Sequence, residues 1–137
     1  MINKSLFLLG GTAWINLVNT IYVSQKQTID ILSQPTSTLQ WLEENNLIRE
    51  SDSLALENVE LLHSLIVELR SLRDLSKMIL SNLEQQEFLS PHVTEQLNKL
   101  TRQVKVSLTI DSESDKLKMV SEGITPIDHV LYRIIQS

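Results

Sequence analysis

The chain of 137 residues is long enough for one compact domain that buries roughly two-thirds of its unfolded surface, and too short for two ordinary ones. Hydrophobic residues at 42%, charged residues at 21%, three glycines and three prolines exclude collagen-like, low-complexity and broadly disordered classes, because the apolar surface suffices to offset chain entropy. Seventeen acidic against twelve basic side chains leave a net charge of −5, which opposes nonspecific attraction to phosphate backbones, while the lack of cysteine removes disulfides, zinc thiolates and thiol nucleophiles and suits a reducing compartment.

Lys4 followed by Leu6, Phe7, Leu8 and Leu9 has part of the charge and hydropathy of a secretory signal, but Gly10 and Gly11 end the apolar run and no small-x-small cleavage site follows. No stretch of eighteen apolar residues exists to span a membrane, so a cytoplasmic, soluble protein without a membrane partner is expected. Gly10-Gly11-Thr12 reads as a tight turn between an apolar strand and a first helix, whose inner stripe is Trp14, Leu17, Val18 and Ile21. Thr28 to Leu32 reads as a short extended piece. Pro35 then opens a second helix through about Asn45, with Leu39 and Leu42 facing inward and Trp41 near an edge.

From about Leu54 to Leu83 there is neither glycine nor proline, and Val59, Leu62, Leu65, Ile66, Leu69, Leu72, Ile79 and Leu83 recur at the helical period. A straight helix of that length spans roughly 45 Å, more than a small domain is wide, so it must bend, break or project into a partner. Ser90-Pro91 starts another helix, carried on by Val93, Leu97 and Leu100. The period then changes: Val104, Val106, Leu108 and Ile110 alternate with Lys105, Ser107 and Thr109. This is a half-buried strand, and a polar turn from Asp111 to Asp115 joins it to a second strand at Leu117 and Met119, giving an antiparallel hairpin at about 103–122. Thr125-Pro126 opens a last helix with Ile127, Val130, Leu131 and Ile134 inside. The expected class is α+β, predominantly helical, as a single domain over residues 1–137 with one long central helix.

Catalytic chemistry is sparse. His63, His92 and His129 are too far apart in sequence to pair as ligands on one helix face. Asp111, Glu113, Asp115 and Glu122 fall at acidic positions of a calcium loop, but Lys116 stands where glycine must make the sharp turn and the flanks read as strands. The Gly10-Gly11 pair lacks the lysine of a phosphate loop, and no nucleophile lies beside a base, so neither an enzyme nor a cofactor is expected. Arg70 and Arg73, flanked by Glu68 and Asp74, read as a solvated charged helix face, and Asn19 and Thr20 as a cap on the first helix. Trp41 has an indole N–H with which to wall a pocket.

Leu8 through Thr20, read as L-x-G-G-x-x-x-I-N-L-V-N-T, with Asp30-x-Leu32, Pro35, Leu39, Trp41-Leu42, Leu47-Ile48, Leu69-Arg70 and Leu97-Asn98, resembles the ABATE domain. In that family the domain typically precedes a CGNR zinc finger, in proteins described as stress-induced transcription regulators. The chain departs from the pattern where Asn16 replaces a common aspartate, in the spacing of Arg73 from Arg70, and in having no cysteine to build the finger. The resemblance implies a ligand-sensing or assembly domain that touches DNA only through a module absent from this chain. It marks Asn19, Thr20, Trp41 and Arg70 as ligand-binding residues around a cleft between the first helix and the long helix. The expected partners are a small-molecule ligand and a second copy of the chain; the alternative is a structural module that self-associates through the long helix.

Overall fold

A computed structural model describes residues 12–113 and 115–137. The glycine turn and the apolar strand expected before it fall largely outside these residues. Among them are six α-helices, two antiparallel hairpins and a 3₁₀ turn: α1 (Ala13–Val18), β1 (Ile21–Ser24), β2 (Gln27–Asp30), the 3₁₀ turn Ile31–Ser33, α2 (Pro35–Glu44), α3 (Glu50–Ala55), α4 (Val59–Gln86), α5 (Pro91–Gln103), β3 (Val106–Glu113), β4 (Lys116–Gly123) and α6 (Pro126–Gln136). The class is α+β and mostly helical, with one long helix and the expected late hairpin.

The first helix is shorter than its apolar stripe suggests. It stops at Val18, and Ile21 turns away into β1, where β-branched and aromatic residues pair with β2 in the register Ile21↔Asp30 to Ser24↔Gln27. The turn places Gln25 at φ 51° and Lys26 at φ 65°, the left-handed pair that a two-residue hairpin needs. Neither is the glycine or asparagine that normally announces such a turn, which is why the sequence shows only β2.

The long helical segment is also broken. Leu54 belongs to α3, and a new helix starts at Val59 with the Asn58 side chain accepting from the Leu61 N–H at 3.1 Å. That cap satisfies an orphan donor, so a break at Leu56–Asn58 costs little. The helix α4 still runs about 42 Å at 1.5 Å per residue. Its inner stripe, Leu62, Leu65, Ile66, Leu69 and Leu72, is buried, whereas Val59 and Leu83 at the two ends are exposed.

These leucines pack with Leu17 of α1, Leu32, Leu42 of α2, Leu47, Leu56, and Val130, Leu131 and Ile134 of α6 in one hydrophobic cluster. Trp41 is fully buried in that cluster instead of lying at an edge, because α2 packs against α4 with its Trp41–Leu42 face inward. The late hairpin pairs Val106↔Gly123 through Glu113↔Lys116 and opposes Asp111 to Lys118 across the strands, the arrangement of a β-ribbon and not of a cation loop. It is anchored at its base on α6, where Ser121 and Tyr132 share a hydrogen bond and Gly123 lies against His129. No helix among the described residues is long and apolar enough to cross a membrane.

Candidate functional site

The β1–β2 hairpin returns the chain to the end of α1, so that Asp30 lies opposite Ile21 and beside Thr20. Arg73 reaches this point from α4. Its Nη1 donates to Asp30 Oδ1 at 2.7 Å and to Thr20 Oγ1 at 2.9 Å, and its Nη2 donates to Asp30 Oδ2 at 3.0 Å. The fork geometry of a guanidinium suits this bidentate grip. Thr20 donates its own proton to the Leu17 carbonyl at 2.6 Å, while Asp30 Oδ1 also caps the Leu32 N–H at 2.9 Å. Burial pushes the Asp30 carboxyl upward, but the Arg73 guanidinium, the Leu32 N–H and Arg70 together hold it below the usual aspartate value. The cluster clamps α1, the first hairpin and α4 together.

Of the residues that the family resemblance marks, Thr20 and Arg70 come together around Asp30. Arg70 lies on the exposed rim, its Nη2 donating to the Leu32 carbonyl at 3.3 Å. Asn19 is half-buried and closes α1 in right-handed geometry, its N–H donating to the Ile15 carbonyl at 3.1 Å. Trp41 is elsewhere, in the core, with its indole N–H buried and unpartnered. Arg73, read from sequence as part of a solvated face, is only 5% exposed. A signal for it existed: Arg73 stands four residues after Leu69 and three before Ser76, on the same stripe as the buried leucines, whereas Arg70 is one step off it.

One turn before Thr20, Asn16 faces the end of α2. Asn45, which caps α2, donates its Nδ2 to the Trp41 carbonyl at 2.9 Å, so its Oδ1 must accept. Asn16 supplies that donor from Nδ2 at 2.8 Å, which fixes its Oδ1 as an acceptor. That oxygen is buried with no donor in reach, and so is the neighbouring Thr12 Oγ1. Both residues line a cleft of about 450 Å³ together with Glu44, Asn45 and Arg133, where the end of α6 closes against the start of α1 through Ala13 N–H donating to Ser137 Oγ at 3.1 Å. Its volume falls in the range of small-molecule sites. Of two other clefts, one of about 390 Å³ lies between α4 and α5, bordered by Glu68, His92 and Lys99, and one of about 180 Å³ lies where α1, α4, α5 and α6 meet, lined mainly by apolar residues from Trp14 to Ile135. None of the three is lined by Asn19, Thr20, Trp41 or Arg70.

A second charged cluster joins α3, β4 and α6. Arg49 donates to both Asp52 oxygens, at 2.9 and 3.0 Å, and to Glu122 at 3.1 Å, and Asp52 also accepts the Arg49 backbone N–H at 2.9 Å. Burial works against the Asp52 charge, but Arg49 holds its carboxyl below the normal value. His129 lies behind them. Its Nδ1 accepts the Gly123 N–H at 3.1 Å, so the proton of the neutral ring is on Nε2. Burial first, then the Arg49 charge, pushes the imidazole below its ordinary value. None of this is legible in the sequence, because the cluster assembles only where α3, β4 and α6 meet. Among the described residues, no group of three or more His, Asp or Glu side chains is placed to hold a metal ion.

No curated protein and no solved structure matches the chain. The model of one family does match, over residues 11–124, a span that takes in α1 through β4, both charged clusters except His129, and Asn16. The chain therefore belongs to the ABATE family, whose description reads "Putative stress-induced transcription regulator".

Proposed function

We propose that the chain is a non-catalytic regulatory domain whose signal is a small polar molecule bound in the cleft between α1, the end of α2 and the end of α6. The observation that carries this reading is the buried, donor-less Oδ1 of Asn16, whose orientation the Asn45–Trp41 hydrogen bonds dictate. A buried acceptor left unpaired costs about 1–3 kcal/mol, and a ligand N–H or O–H recovers that loss on binding. Arg133 is exposed at the same cleft and enters no salt bridge among the described residues, so it offers its charge to a carboxylate or similar anion. The ligand class is thus a small acid that also carries a hydrogen-bond donor, such as an amino or hydroxy acid.

The regulatory logic follows from where the cleft lies. Arg133 and Ser137 sit on the last turn of α6 and beyond it, while Asn16 is fixed in α1. A ligand bridging them favours the arrangement in which α6 is seated, and it shifts a conformational equilibrium only by its difference in affinity for the two states. In a longer regulator of this family the DNA-reading module follows this part of the chain, so α6 is the element through which binding is felt.

A thermal-shift screen of amino and hydroxy acids, followed by calorimetric titration of any hit, tests the reading. At a hundred times its Kd a ligand adds about 2.7 kcal/mol of stability. Asn16→Ala and Arg133→Ala should abolish that gain, and Arg70→Ala should leave it intact. Loss of binding in Arg70→Ala alone would instead return the ligand to the rim of the β1–β2 hairpin.

A further inference from the structure

The cleft at Asn16 holds more than one donor-less oxygen and one cation. Glu44, the last residue of α2, is half-buried on its wall, so the cleft is lined by a carboxylate from α2 and by the Arg133 guanidinium from α6. The two are not in salt-bridge contact with each other. A space of about 450 Å³ is about 9 Å across, and an ammonium and a carboxylate on one carbon atom, each with a hydrogen bond of about 2.8 Å beyond it, span much the same distance. Glu44 also stands at the negative pole of a ten-residue helix, which favours a cation at that wall.

Counting donors narrows the ligand. The Asn16 Oδ1 is an amide oxygen and can only accept, and so can the Glu44 carboxylate. Thr12 Oγ1 is buried on the same cleft, forms no cap on α1, and has lone pairs to offer. An ammonium brings three donors and no acceptor, one for each of these groups. A hydroxyl brings a single proton, so it serves Asn16 or Glu44 but not both. A second carboxylate brings none and is repelled by Glu44.

We propose that the cleft is specific for α-amino acids, with the ammonium held by Asn16, Thr12 and Glu44 and the carboxylate held by Arg133, and that it rejects 2-hydroxy acids and diacids. The inference rests on the reading of this cleft as the ligand site and adds to it the charge pattern of the ligand. Glu44 is its specificity-determining residue. The rejection follows the rule that a site built to bond a donor discriminates strongly against an analogue that lacks it, because its own polar groups are then left unpaired.

Thermal shift and calorimetric titration of the full chain with matched pairs test this without any substitution. The pairs are glycine with glycolate, serine with glycerate, and phenylalanine with phenyllactate, which differ within each pair only at the α-amino group; malonate is the diacid. The hydroxy acid of a binding pair should be weaker by about tenfold or more, and malonate should give no shift. Glu44→Gln keeps the shape and removes the charge, so it should weaken the amino acid by about tenfold and leave its hydroxy acid unchanged, with helical circular dichroism retained. Equal affinity within the pairs, binding of malonate, or an unaltered preference in Glu44→Gln overturns the specificity while leaving a ligand in the cleft. Binding of no member of any pair up to about 10 mM overturns both the specificity and the reading of the cleft.

Discussion

The Arg73–Asp30 pair yields a prediction whose asymmetry comes directly from burial. The Arg73 side chain is 6% exposed and that of Asp30 27%. Asp30→Ala leaves a guanidinium in the interior with Thr20 Oγ1 as its remaining partner, and it also uncaps the Leu32 N–H. Removing one partner of a buried pair costs about 3–5 kcal/mol. Against a total stability of about 5–15 kcal/mol, that is a large fraction. At about 3–5 °C per kcal/mol for a chain of this length, the melting temperature should fall by about 10–20 °C. Arg73→Met fills much of the same volume and leaves a carboxylate that still caps Leu32 and reaches water, so it should cost about 1–3 kcal/mol. The double variant should be less destabilised than the sum of the singles. Because the Asp30 carboxyl is held below its ordinary 3.8, its contribution is complete above that pH and is lost as pH falls through the folded-state value. Urea unfolding of the three variants at neutral pH and in acid measures all of this. An Asp30→Ala protein within about 1 kcal/mol of wild type, or one less damaged than Arg73→Met, would refute the reasoning.

Three further outcomes are expected. A Cβ on Gly123 would run into the backbone of Asp128 and His129, so Gly123→Ala should detach the ribbon base from α6 and cost about 3 kcal/mol or more, visible as a lower urea midpoint. His129 is held neutral by burial and by the charges of Arg49 and Arg133, against the opposing pull of Asp52 and Glu122. Its folded-state pKa is therefore below the 6.5 of the unfolded chain, so stability should be level above that pH and decline as pH falls from 6.5 to the folded value. A proton NMR titration placing His129 at or above 6.5 would falsify this. At the start of α6, Thr125 accepts the Asp128 N–H at 3.0 Å while Asp128 accepts from Thr125 in return, so Thr125→Ala should lower stability by about 1 kcal/mol in the same urea assay.

Local chemistry alone settled a good part of this protein. The strict alternation from Val104 to Ile110 marked the late ribbon, and Thr125-Pro126 and Ser90-Pro91 marked two helix starts, because those signals act within a few residues and need no distant partner. The leucine period named the stripe of α4 that faces the core, and the Asn-Leu-Val-Asn-Thr run with Trp41 pointed to the ABATE family.

Distant pairing decided the rest. The first hairpin is not legible in the sequence because its turn uses Gln25 and Lys26 in left-handed geometry that only the paired strands justify. Which group answers the charge of the buried Arg73 depended on an aspartate 43 residues away, and the cleft at Asn16 exists only because α1, the end of α2 and the end of α6 converge there. A sequence's period reports which face of an element is apolar; which neighbour covers that face, and which polar atom is left without a partner beneath it, is fixed only when the elements pack.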